Sequence, residues 1–292
     1  MKVSGFTFIR NAVKYDYPIV ESIKSILPLV DEYVVLLGQS DDNTIQLIKT
    51  IDSDKIKIIP SIWDDSLRLG GKVLAVETNK AFQKVSANSD WAFYLQGDEV
   101  IHEKYHKNIQ NAMNEYLADY ETDGLLLNYK HFYGSYNYVG NSRRWYRKEI
   151  RIIRNDKNIS SYRDAQGFRK NNKKLKVRQI DAWVYHYGWV KPPEIQKVKT
   201  DFFPSLYHKD NQSNNDDFSE NSFDYSNIDS LAFFNETHPK VMENRIAAKN
   251  WNFNFDPTKK NFDIKTRLLN ALERITNYRF AEYKNYTLLK KF

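Results

Sequence analysis

The chain has 292 residues, no cysteine, a formal net charge of +7 and 15% aromatic residues. The missing cysteine excludes a disulfide framework, thiol catalysis and Cys-ligated zinc, and it suits a reducing compartment, so the expected location is the cytoplasm. Apolar runs such as residues 34–37 fall far short of the roughly 20 residues that span a bilayer, which leaves peripheral contact as the only expected relation to a membrane.

Residues 3–9 read as a strand. Residues 15–27 carry Ile19, Val20, Ile23, Ile26 and Leu27 at helical spacing, between Pro18 and Pro28. Residues 33–37 form a short apolar run of buried-strand type. The cap-rich Ser40-Asp41-Asp42-Asn43 then opens a short amphipathic helix through Ile51. Residues 56–59 are a strand stopped by Pro60, residues 72–85 a helix, and residues 91–95 a strand again. Strands alternating with helices predict an α/β domain with a mostly parallel sheet. Beyond residue 120 the rhythm changes. Strands are expected at 124–129, 150–153 and 175–187, separated by aromatic and basic loops. A helix follows at 194–203, then an acidic loop at 210–230 and two further helical segments beginning near Pro239 and Phe262.

The charge is unevenly placed. Residues 143–178 hold 14 Lys/Arg against 3 Asp/Glu, a local +11, so the rest of the chain is near -4. A segment this basic, interleaved with aromatic residues, suits an anionic ligand or acceptor, with Arg143, Arg144 and Arg147 as contacts. It also leaves open a polyanion-binding or nucleic-acid-binding module, although no RNA-binding motif accompanies it. A solvated basic surface explains the same composition.

In an open α/β sheet, ligands gather beyond the carboxyl ends of the strands. Three polar clusters fall there: Arg10-Asn11, Ser40-Asp41-Asp42-Asn43-Thr44 and Gln96-Gly97-Asp98-Glu99. Each alone is ordinary capping or turn chemistry; in succession they point to one shared site. Their order resembles the family 2 glycosyltransferases of the GT-A fold. The matching elements are Arg10-Asn11, Asp31-Glu32-Tyr33-Val34-Val35, the Ser40–Thr44 turn, Asn79-Lys80-Ala81-Phe82 and the run from Trp91 to Glu99. Arg151-Ile152-Ile153-Arg154 and His186-Tyr187-Gly188-Trp189 continue the likeness to about residue 190.

The resemblance implies a Rossmann-like mixed sheet over residues 1–190 and a mainly helical extension over 191–292. It implies transfer of a sugar from a nucleotide-sugar, such as a UDP-sugar, to a hydroxyl of a glycan or other acceptor, with inversion and with Mg²⁺ or Mn²⁺ as cofactor. No nucleic acid is expected as a partner. Arg10, Asn11, Ser40, Asp42, Lys72, Asn79, Gln96 and Asp98 are the expected donor-binding residues, Asp98 and His186 the metal ligands, and Asp164 the base that takes the acceptor proton. Glu99 is expected to cap or support. Two positions depart from the family. Leu37 stands where an acid usually meets the donor's base, and Gln96 where the first acid of Asp-x-Asp stands, so a scaffold that binds nucleotide-sugar without turnover is a further alternative.

Overall fold

The computed structural model describes residues 1–67, 69–202 and 222–290. Its elements, in chain order, are β1 (Val3–Ile9), α1 (Ile19–Ile26), β2 (Glu32–Gly38), α2 (Thr44–Lys49), β3 (Ile56–Ser61), α3 (Lys72–Gln83), β4 (Trp91–Tyr94), β5 (Glu99–Ile101) and α4 (His106–Glu115). There follow β6 (Gly124–Tyr133), β7 (Ser135–Gly140), β8 (Lys148–Arg154), β9 (Ile159–Tyr162), β10 (Gly167–Lys170), β11 (Lys173–Lys174) and β12 (Lys176–Trp189). Then come α5 (Pro193–Phe202), β13 (Leu231–Phe233), α6 (Glu243–Ala247), α7 (Ile264–Thr276) and β14 (Thr287–Leu288).

The main sheet runs β13-β7-β6-β8-β4-β1-β2-β3, with β12 beside β6. β3, β2, β1 and β4 are parallel, while β8 is antiparallel to both β4 and β6. This is the mixed Rossmann-like arrangement the resemblance implies. β2 is buried along its whole length, because it pairs on both edges and is covered on both faces, which suits its unbroken apolar run. On one face Ile19, Ile23 and Ile26 of α1, Ile48 of α2 and Ile109 and Met113 of α4 pack on Ile9, Leu37 and Phe93. On the other, Ala81 and Phe82 of α3 pack on Phe6, Val34 and Tyr94.

The departures from expectation have physical causes. The first helix begins only at Ile19, because Asn11 and Asp16 hold left-handed φ values of 54° and 48° and turn the chain before Pro18. Pro60 does not stop its strand. It pairs with Leu37 inside β3, which is the sheet's edge, where a missing N–H is tolerated. The aromatic run 131–138 is a hairpin, β6 turning into β7 at Gly134 with φ +69°. Phe132, Tyr133, Tyr136 and Tyr138 are core residues. The segment after residue 190 is only partly an appended helical unit, since β13 joins β7 and β14 joins β12. Most of the acidic loop expected at 210–230 lies outside the described residues.

Candidate active site

The chemistry-bearing ends of β1 and β4 open into a crevice of about 810 Å³, closed on its far side by β8, the β9–β10 hairpin, α5 and the C-terminal segment. Its floor is the turn between β4 and β5. Gly97 lets that turn lie close to β1, for a Cβ there would meet Ile9 Cδ1 at 2.8 Å. Glu99 fixes the turn from below. It is fully buried, accepts both Nε (2.7 Å) and Nη2 (2.8 Å) of Arg151 and the Tyr129 hydroxyl (2.8 Å), and takes the Gln96 backbone N–H at 3.1 Å. Both Glu99 oxygens are thus engaged within the protein.

Asp98 is held above this base, 8% exposed. Its Oδ2 lies 3.7 Å from His186 Nε2 on β12 and 3.5 Å from Lys199 Nζ on α5. Burial opposes its ionisation, but His186, Lys199 and Lys191 together prevail and hold the carboxyl well below the usual carboxylate range. Gly188 completes the arrangement. A Cβ at that position would sit 2.7 Å from His186 Nε2 and 2.8 Å from Asp98 Oδ2, so the missing side chain leaves a niche between the two atoms.

The niche fits a hard divalent cation, which accepts one or two protein ligands and fills its remaining positions with phosphate and water. Among the described residues there is no group of three or more His, Cys, Asp or Glu side chains able to hold a metal; the two such side chains that face the niche are Asp98 and His186.

Two lysines, Lys199 and Lys191, are buried close to Asp98. Lys199 Nζ donates to the Gly188 carbonyl at 2.9 Å, and Lys191 Nζ to the Tyr15 carbonyl at 2.7 Å. Burial lowers the pKa of both, and most strongly that of the fully buried Lys191, where Lys199 adds to the effect. Sequence reasoning missed them. No sequence signal marked them, because packing alone decides that Gln196 and Lys199 lie on the buried face of α5.

Of the other residues expected at the site, Arg10, Gln96 and Asp164 line the crevice. The Arg10 guanidinium stands 5.5 Å from the Trp63 ring. Trp63, which no motif flagged, packs on the β2 terminus because Gly38 has no side chain to exclude it. Leu37 points into the core instead. Asp164 sits at the tip of the β9–β10 hairpin between Arg163 (φ 55°) and Ala165 (φ 62°). Left-handed backbone at non-glycine residues costs of order 1–3 kcal/mol each and persists where a structure is held to a task.

Asn11, Ser40, Asp42, Lys72 and Asn79 do not line the crevice. The first three knit the β1 and β2 loops together. Asn11 N donates to Ser40 Oγ (3.0 Å), Asn11 Oδ1 accepts from Asp41 N (3.0 Å), and Asp42 accepts from the N–H groups of Lys14 and Thr44. Asn79 accepts from Ser161 N at 2.6 Å and holds β9 to α3. Lys72 is an exposed first residue of α3.

The basic segment is largely spent inside the molecule. Arg143 pairs with Glu273, Arg147 with Glu282 and Glu273, Arg178 with Asp119, and Lys170 with Asp123 and Asp156. Arg143, Arg144, Lys148 and Arg151 nevertheless line the crevice, and Arg147 does not.

No family model matches the chain. A protein of Rickettsia typhi named an uncharacterised glycosyltransferase is 24% identical over 217 residues, which cover 72% of this chain and 68% of that one. Among solved structures, TarS of S. aureus is 17% identical, with a TM-score of 0.39, over 70% of this chain and 39% of its own. Its 1–349 segment in complex with UDP is 18% identical, with a TM-score of 0.39, over 70% of this chain and 64% of that one. Glucosyl-3-phosphoglycerate synthase of Mycobacterium tuberculosis, in complex with Mn²⁺, UDP and phosphoglyceric acid, is 18% identical with a TM-score of 0.28, over 45% and 43% of the two chains. The chain spans less than two thirds of the length of each of these solved structures.

Proposed function

We propose that this protein is a glycosyltransferase that moves a sugar from a nucleotide-sugar, a UDP-sugar in the first instance, to an acceptor hydroxyl with inversion. The observation that carries the reading is Asp98 and His186 facing one another across the Gly188 niche, on the floor of a crevice at the carboxyl ends of β1 and β4. The likeness to the Rickettsia protein and the ordered motifs support it.

In this reading Asp98 and His186 would hold Mg²⁺ or Mn²⁺, which would supply charge neutralisation to the diphosphate. Arg10 and Trp63 flank the nucleoside, and Gln96 offers a neutral amide oxygen where an acid is usual. Lys199, beside Asp98, is a second group that would meet the diphosphate's negative charge. Asp164 takes the proton of the acceptor hydroxyl as its oxygen bonds to the anomeric carbon. The bond from that carbon to the phosphate oxygen breaks, and its electron pair leaves with the nucleoside diphosphate.

The test is release of free nucleoside diphosphate from a panel of UDP-, GDP- and TDP-sugars, with Mn²⁺ and with EDTA. Turnover of one donor class supports the reading. Binding without release from any donor contradicts it.

A further inference from the structure

α7 is a helix of 13 residues with no buried residue. Isolated helices of this length are marginal in water, so one side of α7 needs a partner. Its inner side has one: Glu273 pairs with Arg143 and Arg147, and Lys265 and Leu269 line the crevice. Its outer side presents Ile264, Leu268, Leu272 and Ile275, exposed by 78%, 62%, 46% and 80%. At about 100° per residue these four fall within a stripe about 80° wide. Arg267 and Arg274 border the stripe on one side and Lys265 on the other. Tyr278 and Phe280, both exposed and packed ring to edge at 4.8 Å, follow directly after the helix.

We propose that α7 is an interfacial helix that seats this chain on an anionic lipid surface, with the crevice mouth beside it. An apolar stripe, basic borders and aromatic residues at the end match what such a surface requires: the stripe enters the acyl boundary while the long basic side chains reach the headgroups. Charge complementarity chooses the occupant. Lys259 and Lys260 precede the helix, the nearby acids Glu273 and Glu282 are already paired with Arg143 and Arg147, and Asp263 is engaged as the helix cap through Thr266 N. A second copy is the poorer fit, because a two-fold contact sets each patch against itself and brings Arg267 and Arg274 towards their own like charges. No helix among the described residues is long and apolar enough to cross a membrane, so the contact lies along the surface.

The test is flotation of the full chain with vesicles of equal parts phosphatidylglycerol and phosphatidylcholine, against phosphatidylcholine alone. The expected result is flotation with the anionic vesicles only, falling about tenfold or more in high salt. The Leu268→Glu/Leu272→Glu and Arg267→Gln/Arg274→Gln variants are each expected to lose a similar amount, with an unchanged urea unfolding midpoint as proof of folding. Wild-type protein that stays unbound overturns the proposal, as does flotation equal in wild type and the Leu268→Glu/Leu272→Glu variant. A solution dimer that the same variant dissociates overturns it in favour of a second copy. The readout needs no turnover, so it stands or falls apart from the transferase reading.

Discussion

His131 fixes the orientation of His186. His131 Nε2 donates to the Tyr146 carbonyl at 2.7 Å, and burial keeps the His131 ring neutral, so its Nδ1 is an acceptor. His186 Nδ1 lies 3.0 Å away and must be the donor, which turns His186 Nε2 towards Asp98 and the Gly188 niche. The nitrogen that faces the niche is therefore set by a residue that does not line it.

Replacing His131 by Phe keeps ring volume and removes the acceptor. Mn²⁺ affinity in the presence of UDP, followed by calorimetry, is expected to fall about 10–100-fold, the usual cost of losing such a partner. Unchanged affinity would mean that His186 holds its orientation without help.

Much of this centre was legible in the sequence, and for a stated reason. Asp98 follows a strand and His186 lies within one, and both sit in motifs whose order along the chain is informative. Lys199 and Trp63 were not legible, because their roles arise from packing: α5 folds back onto β12, and Gly38 leaves room for an indole. The fate of the basic segment was hidden for the same reason, since Arg143 meets Glu273 across a separation of 130 positions in the chain. β7 escaped notice because its aromatic alternation is broken by Gly134, which reads as a loop until its turn is seen.

The buried pair Glu99–Arg151 supports the β4–β5 turn, with exposures of 0% and 1%. Removing one partner of such a pair leaves an uncompensated buried charge. Arg151→Met is expected to cost about 3–5 kcal/mol in urea unfolding. A loss below about 1 kcal/mol would show that Glu99 is held mainly by Tyr129 and the Gln96 N–H.

Glu149, buried in the crevice wall, has its carboxyl pushed up from 4.5 to about 7, chiefly by burial, which the Arg151 charge only partly offsets. Between these values the folded protein keeps a proton that the unfolded chain has released. Its contribution is therefore whole below about pH 4.5 and is lost as pH rises towards 7, by roughly 3 kcal/mol at most. Glu149→Gln should flatten this dependence, so the variant gains on wild type between pH 5 and pH 8 in urea unfolding. Parallel curves for the two proteins would refute the shift.

Asp164 is the proposed base. Asp164→Asn should lower transfer about 10²–10⁴-fold while donor binding survives. A loss under about tenfold would assign the acceptor proton to another group in the crevice.

The central claim rests on Asp98, and one titration addresses it most directly: UDP affinity against Mn²⁺ concentration for wild type and Asp98→Asn. The substitution keeps the shape of the side chain and removes its charge. Wild type is expected to bind UDP more tightly as Mn²⁺ rises, and Asp98→Asn to bind it weakly at every Mn²⁺ concentration with no such rise, while it still unfolds cooperatively, at a lower urea concentration because Lys199 and Lys191 lose their counter-charge. A wild-type affinity for UDP that is indifferent to Mn²⁺ and to EDTA would contradict the account and transfer the neutralising role to Lys199.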